Sequence, residues 1–432
     1  MSAEQAYLFR HAVVRDAAYQ LQLPSVRRGL HGHAANILEA MHGGAPPPLQ
    51  NPAAPHKAHP VDSVAHEIYE HLRLSLHSAQ LGQRARTVLE ERVALYAYRA
   101  ARFAEEHFQF AEALRLYEQR ARRRGASDAS RARDLTRAAT MATFLYDNAR
   151  AGLLSREGLD AARASGDEIL VGMATTEVAR VVLLGGNAEK AIGLYSEALV
   201  HLRKAGDGGR IGTALASIAI AEHQLGRTSD AAVHYQQALA AHRAAGDRSG
   251  EGSTLSNFAN LHMTANEHEL ARAEFMEAIA IARETNNLRG EGYALGNLGE
   301  LYLKMRRERD AEQYLTRALE VHTRAGNREQ EAWIASRLAL FSVERKELAR
   351  AESLYRRALM ALEGTDKREW IGAMWSKLAV MFYEANRTQE AEAARKESES
   401  ALLGNQSNAA LSYAASIFHA REAALRRQES PV

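Results

Sequence analysis

Residues 292–321 read GYALGNLGELYLKMRRERDAEQYLTRALEV. Small and large apolar residues recur here at the spacing of a helix face. The pattern returns along the chain. Alanine occupies positions 151, 191, 231, 271, 311, 351 and 391, each 40 after the last (191 − 151 = 40). A second small-residue column runs in step at Ala179, Ala219, Ala259, Gly299, Ala339 and Ala379. The residue before it is always large and apolar: Val178, Ile218, Phe258, Leu298, Leu338 and Leu378. A third small column is Ala198, Ala238, Ala278, Ala318 and Ala358. Two helices pack closely where one presents a small residue to a large neighbour. Gly299 in a helix interior costs about 1 kcal/mol against alanine, so it predicts a close crossing. The breaks recur too, at Gly166-Asp167, Gly206-Asp207, Gly246-Asp247, Asn286-Asn287 and Gly326-Asn327. Glycine or asparagine ends a helix in the left-handed conformation, and Asp or Asn caps the next. Each unit is therefore helix, short turn, helix, stop.

Working outward, the eight prolines stand at 24, 46, 47, 48, 52, 55, 60 and 431, so residues 61–430 contain none. Proline costs about 3 kcal/mol in a helix interior, and its absence predicts almost continuous helix. Of the 432 residues 46% are hydrophobic, enough for a core. Lys and Arg number 55 against 53 Asp and Glu, a net charge of +2. That balance argues against nucleic-acid binding by bulk electrostatics. The absence of cysteine removes disulfides, thiolate metal sites and cysteine nucleophiles. No stretch of about 18 apolar residues exists to span a membrane, and the start, MSAEQAYLFRHAVVRD, has no signal-peptide pattern. The expectation is a cytoplasmic protein.

Leu295, Leu298, Gly299, Tyr302, Ala311, Ala318 and Leu319 follow the order of a tetratricopeptide repeat. The chain resembles that family over about residues 87–402, in the long 40-residue variety of Leu-Gly-Asn-repeat adaptors and kinesin light chains. Units fall at 87–124, 131–166, 170–206, 210–246, 250–286, 290–326, 330–364 and 370–402. One column departs: the aromatic of Tyr302 returns as Phe382 but becomes Val182, Glu222, His262 and Ser342 elsewhere. The resemblance implies an all-α fold, a right-handed superhelical α-solenoid of about eight such helix pairs. Residues 403–432 are expected to supply a capping helix and tail, with Leu411, Phe418 and Leu425 on its apolar face.

Residues 1–42 lack the 40-residue register. Phe9, Arg10, His11, Asp16, Tyr19, Arg27, Arg28 and His31, with Asp62 to Leu72 further on, resemble the segment behind the winged-helix module of STAND-type signalling ATPases and maltose-regulator-like proteins. Tyr7, Phe9 and His11 alternate as a short strand would. The expected organisation is a helical segment at 1–42, a proline-rich linker at 43–60, a connecting helix at 61–86, the solenoid at 87–402, and the cap.

Chemistry-bearing motifs are scarce. No GxxxxGK[ST] loop and no GxSxG occur, so no catalytic residues, metal ligands or cofactor are assigned and the protein is expected not to be an enzyme. His66 and His71 are five apart, about 140° around a helix, and read as surface residues. Arg120, Arg122, Arg123 and Arg124 read as a solvated loop. An alternative reading, an RNA-binding helical repeat protein, rests on that run alone.

The remaining candidate is the face formed by the first helix of each pair, which in the family binds peptides. The position before each large apolar residue holds Glu177, Ser217, Asn257, Asn297, Arg337 and Lys377. Three positions further stand Arg180, Ile220, Asn260, Glu300, Leu340 and Val380. Carboxamides offer both donor and acceptor to a peptide main chain. The expected partner-binding residues are Asn257, Asn260, Asn297, Glu300, Trp333, Arg337 and Lys377. Arg337 and Lys377 favour an acidic protein or peptide partner. The expected function is a non-enzymatic interaction scaffold in bacterial signalling; the alternative is the sensor arm of a STAND-type ATPase, kinase or cyclase system.

Overall fold

The computed structural model describes residues 23–49, 56–76, 82–365 and 367–402. The strand expected near residue 7, the segment before residue 23 and the cap after residue 402 lie outside the described residues. Eighteen α-helices run in consecutive packed pairs, and among the described residues there is no strand. They divide between two compact units, Met1–Ala241 and His242–Val432.

In the first unit, α1 (Pro24–Met41), a short 3-10 helix (Pro60–Val64) and α2 (Ala65–Ser75) precede α3 (Gln83–Glu106) and α4 (Phe110–Ala121). Further pairs follow: α5 (Asp128–Phe144) with α6 (Asn148–Ser165), α7 (Glu168–Leu184) with α8 (Ala188–Ala205), and α9 (Gly208–Gln224) with α10 (Thr228–Ala245). One apolar cluster joins Ala35 of α1, Val61, Ile68 and Leu72 to Tyr96, Leu116, Tyr117, Met141 and Leu154. The elements before the repeats thus share the core of the first two pairs. The second unit pairs α11 (Arg248–Thr264) with α12 (His268–Glu284), α13 (Leu288–Lys304) with α14 (Glu308–Ala325), α15 (Arg328–Glu344) with α16 (Leu348–Leu362), and α17 (Arg368–Glu384) with α18 (Thr388–Leu402).

The alanine columns are the seams. Ala191, Ala231, Ala271, Ala311, Ala351 and Ala391 are all fully buried. Gly299 packs as its cost demanded, because a Cβ there would lie 2.7 Å from Leu315 Cγ. A further small-residue column, glycine at 172, 252, 292 and 372, marks the other end of those crossings. A Cβ on Gly172 would meet Leu202 at 2.6 Å, one on Gly292 would meet His322 at 2.5 Å, and one on Gly372 would meet Leu402 at 2.6 Å.

The stops take the expected geometry. Gly166, Gly206, Asn286 and Gly326 have φ of 68°, 69°, 52° and 70°. The Asp207, Asp247 and Asn287 side chains accept from the backbone N–H three residues on, of Arg210, Gly250 and Gly290. A left-handed residue also closes the turn inside each pair, at Phe108, Tyr146, Gly186, Gly226, Asn266, Arg306, Lys346 and Asn386. At two of its departures, Glu222 and His262, the aromatic column finds its reason across that turn, twelve residues on. Tyr302 stacks on Tyr314 with ring centroids 5.3 Å apart. One pair earlier, His262 Nδ1 meets Glu274 Oε2 at 2.8 Å. One pair before that the chemistry is reversed, with Glu222 Oε2 against His234 Nδ1 at 2.7 Å.

Candidate functional site

The first helices of successive pairs touch one another, α5 with α7, α7 with α9, and α11 with α13. Their contacts recur at a separation of 37 residues. Thr140 Oγ1 donates to Glu177 Oε2 at 3.1 Å, and Arg337 holds Glu300 through Nε and Nη2, both at 2.8 Å. Trp333 follows the same spacing, its indole lying over Gly296, where a Cβ would be 3.9 Å from Cζ3. Within each unit the two expected rows therefore lie side by side along first helices.

In the second unit this surface carries Asn257 and Asn260 on α11, Asn297 and Glu300 on α13, Trp333 and Arg337 on α15, and Lys377 on α17. All but Lys377 are half-buried, and Lys377 is exposed. Among the described residues the carboxamides of Asn257, Asn260 and Asn297 bond to nothing, so their donors and acceptors are available. Arg337, expected to favour an acidic partner, already has two of its donors held by Glu300. Among the described residues Lys377 has no ion partner; burial and the like charge of Arg337 lower its pKa. Beside Arg337 a recess of about 420 Å³ opens between α13, α14 and α15. Leu303, Leu340 and Phe341 give it apolar walls, and Lys304, Glu308 and Glu344 give it a charged rim.

The arginine run near residue 122 is not wholly a solvated loop. Arg120 is only 9% exposed, and its Nε donates to Asp134 Oδ2 at 2.9 Å. Arg122 and Arg124 are exposed. His66 pairs with Glu112 at 3.2 Å, while His71 Nδ1 meets His31 Nδ1 at 2.7 Å. Among the described residues no three histidine or carboxylate groups converge to hold a metal, and no helix is long and apolar enough to cross a membrane.

The fold and this surface define a helical-repeat protein built from packed helix pairs whose first helices line up within each unit. Residues 171–244 and 250–324, which hold α7 to α14, match the family model of the tetratricopeptide repeat. Solved structures similar to this chain include a Rap protein complexed with competence and sporulation factor, at 14% identity and TM-score 0.51, covering 76% of this chain and 94% of that one. Another is the Rap conjugation gene regulator of the plasmid pLS20 in complex with a Phr peptide, at 15% identity and TM-score 0.51, covering 72% and 86%. A third is a Signal Transduction ATPase with Numerous Domains, with a tetratricopeptide repeat sensor, from Pyrococcus horikoshii. Its identity is 15% and its TM-score 0.49, covering 79% of this chain and 53% of that one. A search of curated proteins gave no match.

Proposed function

We propose that the chain is a non-enzymatic interaction scaffold that holds an extended segment of a partner protein along the first helices α11, α13, α15 and α17. The observation that carries this reading is the set of unpaired carboxamides at Asn257, Asn260 and Asn297 on adjacent first helices. An extended segment exposes an unpaired main-chain donor or acceptor at nearly every residue, and a carboxamide serves either. Trp333 offers a flat aromatic contact one helical turn from Arg337, the kind of residue that anchors interfaces. Lys377 favours a carboxylate on the partner. A similar fold holds a Phr peptide in the Rap regulator. The resemblance of residues 1–75 to STAND-type regulators supports a place in cytoplasmic signalling.

The test is a quadruple variant, N257A/N297A/R337A/K377A, checked for helicity by circular dichroism. Capture of the native partner should fall at least tenfold. Unchanged capture by a folded variant overturns the reading.

A further inference from the structure

The column that carries Asn257, Asn297, Arg337 and Lys377 begins before Glu177, and its first member lies off the 40-residue register. The left-handed turn residues Phe108, Tyr146 and Gly186 fix the equivalence. Arg99, Arg137 and Glu177 each precede them by nine (108 − 99 = 146 − 137 = 186 − 177 = 9). Arg99 is therefore the first member of the row, yet it is only 3% exposed. A segment of the same chain covers it.

That segment is His56–Val64. Asp62 Oδ1 accepts from Arg99 Nη1 at 2.7 Å, and the Lys57 carbonyl accepts from the same nitrogen at 3.5 Å. Val61 is fully buried. His56 stands edge-on to Tyr98, with centroids 5.7 Å apart, and its Nε2 lies 3.3 Å from Asp62 Oδ2. The His59 N–H also donates to that oxygen, at 2.8 Å, and so fixes the carboxylate's direction. Pro60 opens the 3-10 turn without losing a donor.

The surface beneath is cationic. Arg120 and Arg133 lie over the Tyr98 ring at 5.3 and 4.4 Å and share Asp134. Three guanidinium groups thus face two carboxylates, and Arg99 Nε and Arg120 Nη1 are buried without a partner. A buried charge without a counterion is costly, so this surface needs the carboxylate that Asp62 brings. Burial pushes the Asp62 carboxyl upward, but its bonds to His56, Arg99 and the His59 N–H outweigh that and hold it below the usual carboxylate range.

We propose that His56–Val64 is an internal ligand of the first-helix face, with Pro60-Val61-Asp62 occupying at the first repeat the place that a partner segment takes on α11–α17. A segment of a partner protein with an apolar residue followed directly by an aspartate competes for the same seat. The inference rests on the reading of the first-helix face as a binding surface. That reading is tested on α11–α17, whereas this one is tested at Arg99.

The probe is a fluorescent peptide of residues 56–64, HKAHPVDSV, added to the full chain. In the native protein the tethered copy outcompetes it, since a short tether gives an effective concentration in the millimolar range. In the Asp62→Lys variant the tethered copy is repelled from Arg99, and the peptide should bind at least tenfold more tightly than to the native chain. The same peptide with asparagine replacing its aspartate should not bind. A V61S/D62N variant, which weakens the seat without adding charge, should give the same gain if Asp62→Lys fails to fold. Equal binding by native and variant chains overturns the proposal, and so does a lack of binding by any of them.

Discussion

His322 is completely buried, and its Nε2 has no partner. Burial is the main cause that lowers its pKa to about 4, with Arg289 adding to the drop and the Gly292 backbone and Glu331 opposing it. The sign follows from linkage. Near pH 7 neither the folded nor the unfolded chain protonates this ring. From pH 6.5 down to about 4 only the unfolded chain takes the proton, so stability falls by about 3 kcal/mol over that window and levels below it. The column around His322 suggests the remedy, because Leu202 against Gly172 and Leu402 against Gly372 fill the equivalent positions. His322→Leu should raise stability at pH 5 and flatten the profile between pH 6.5 and 4, as read from denaturant midpoints. An unchanged slope would assign the loss elsewhere. The converse substitution, Gly172→Ala, drives a methyl to 2.6 Å from Leu202. It should cost about 1–3 kcal/mol by overpacking, measurable as a lower thermal midpoint. The closing residues of the repeats were legible in the sequence, since Gly166 and Asn286 are residue types that tolerate positive φ. Phe108, Tyr146, Arg306 and Lys346 take the same geometry without announcing it, because their side chains give no such preference.

At the scale of the element, the short turn between the helices of a pair brings residues twelve apart together. Three successive pairs solve that junction by different chemistry: Glu222 with His234, His262 with Glu274, and Tyr302 with Tyr314. The Glu274 carboxyl is raised by burial, against the pull of its bond to His262. At Glu222 and His262 the departure from an aromatic is thus a paired substitution, invisible when either residue is considered alone. His262→Glu places two carboxylates together and should destabilise the second unit. The swap H262E/E274H repeats the order that Glu222 and His234 already use. It should recover most of the loss, with a coupling energy of about 1 kcal/mol in a double-mutant cycle. A swap as unstable as the single variant contradicts this account. The same limit on one-helix reasoning hid the partner of Arg337. Its spacing placed it correctly on the first-helix row, but Glu300 stands on the neighbouring helix, 37 residues away.

For the molecule as a whole, a strict 40-residue period made the repeats legible from Ala151 onward, because each column reports the same packing position many times. The period shortens to 38 between the first two pairs (146 − 108 = 38). That slip separated Arg99 from the row it belongs to, and it hid the segment seated on it. Arg120 was misread for a related reason, since its counterion Asp134 lies on the next helix. Ion pairs also link successive helix pairs within each unit, as in Arg150–Glu118 at 2.7 Å and Arg387–Glu352 at 2.7 Å. Partly exposed pairs of this kind contribute up to about 1 kcal/mol each.

The central claim is that partners meet the first-helix face. Photo-crosslinking residues placed singly at Asn297 and Arg337, and at the exposed second-helix position Gln313, test it in the native host. The account predicts a shared partner adduct from 297 and 337 and none from 313. An adduct from 313 with none from 297 or 337 would contradict it.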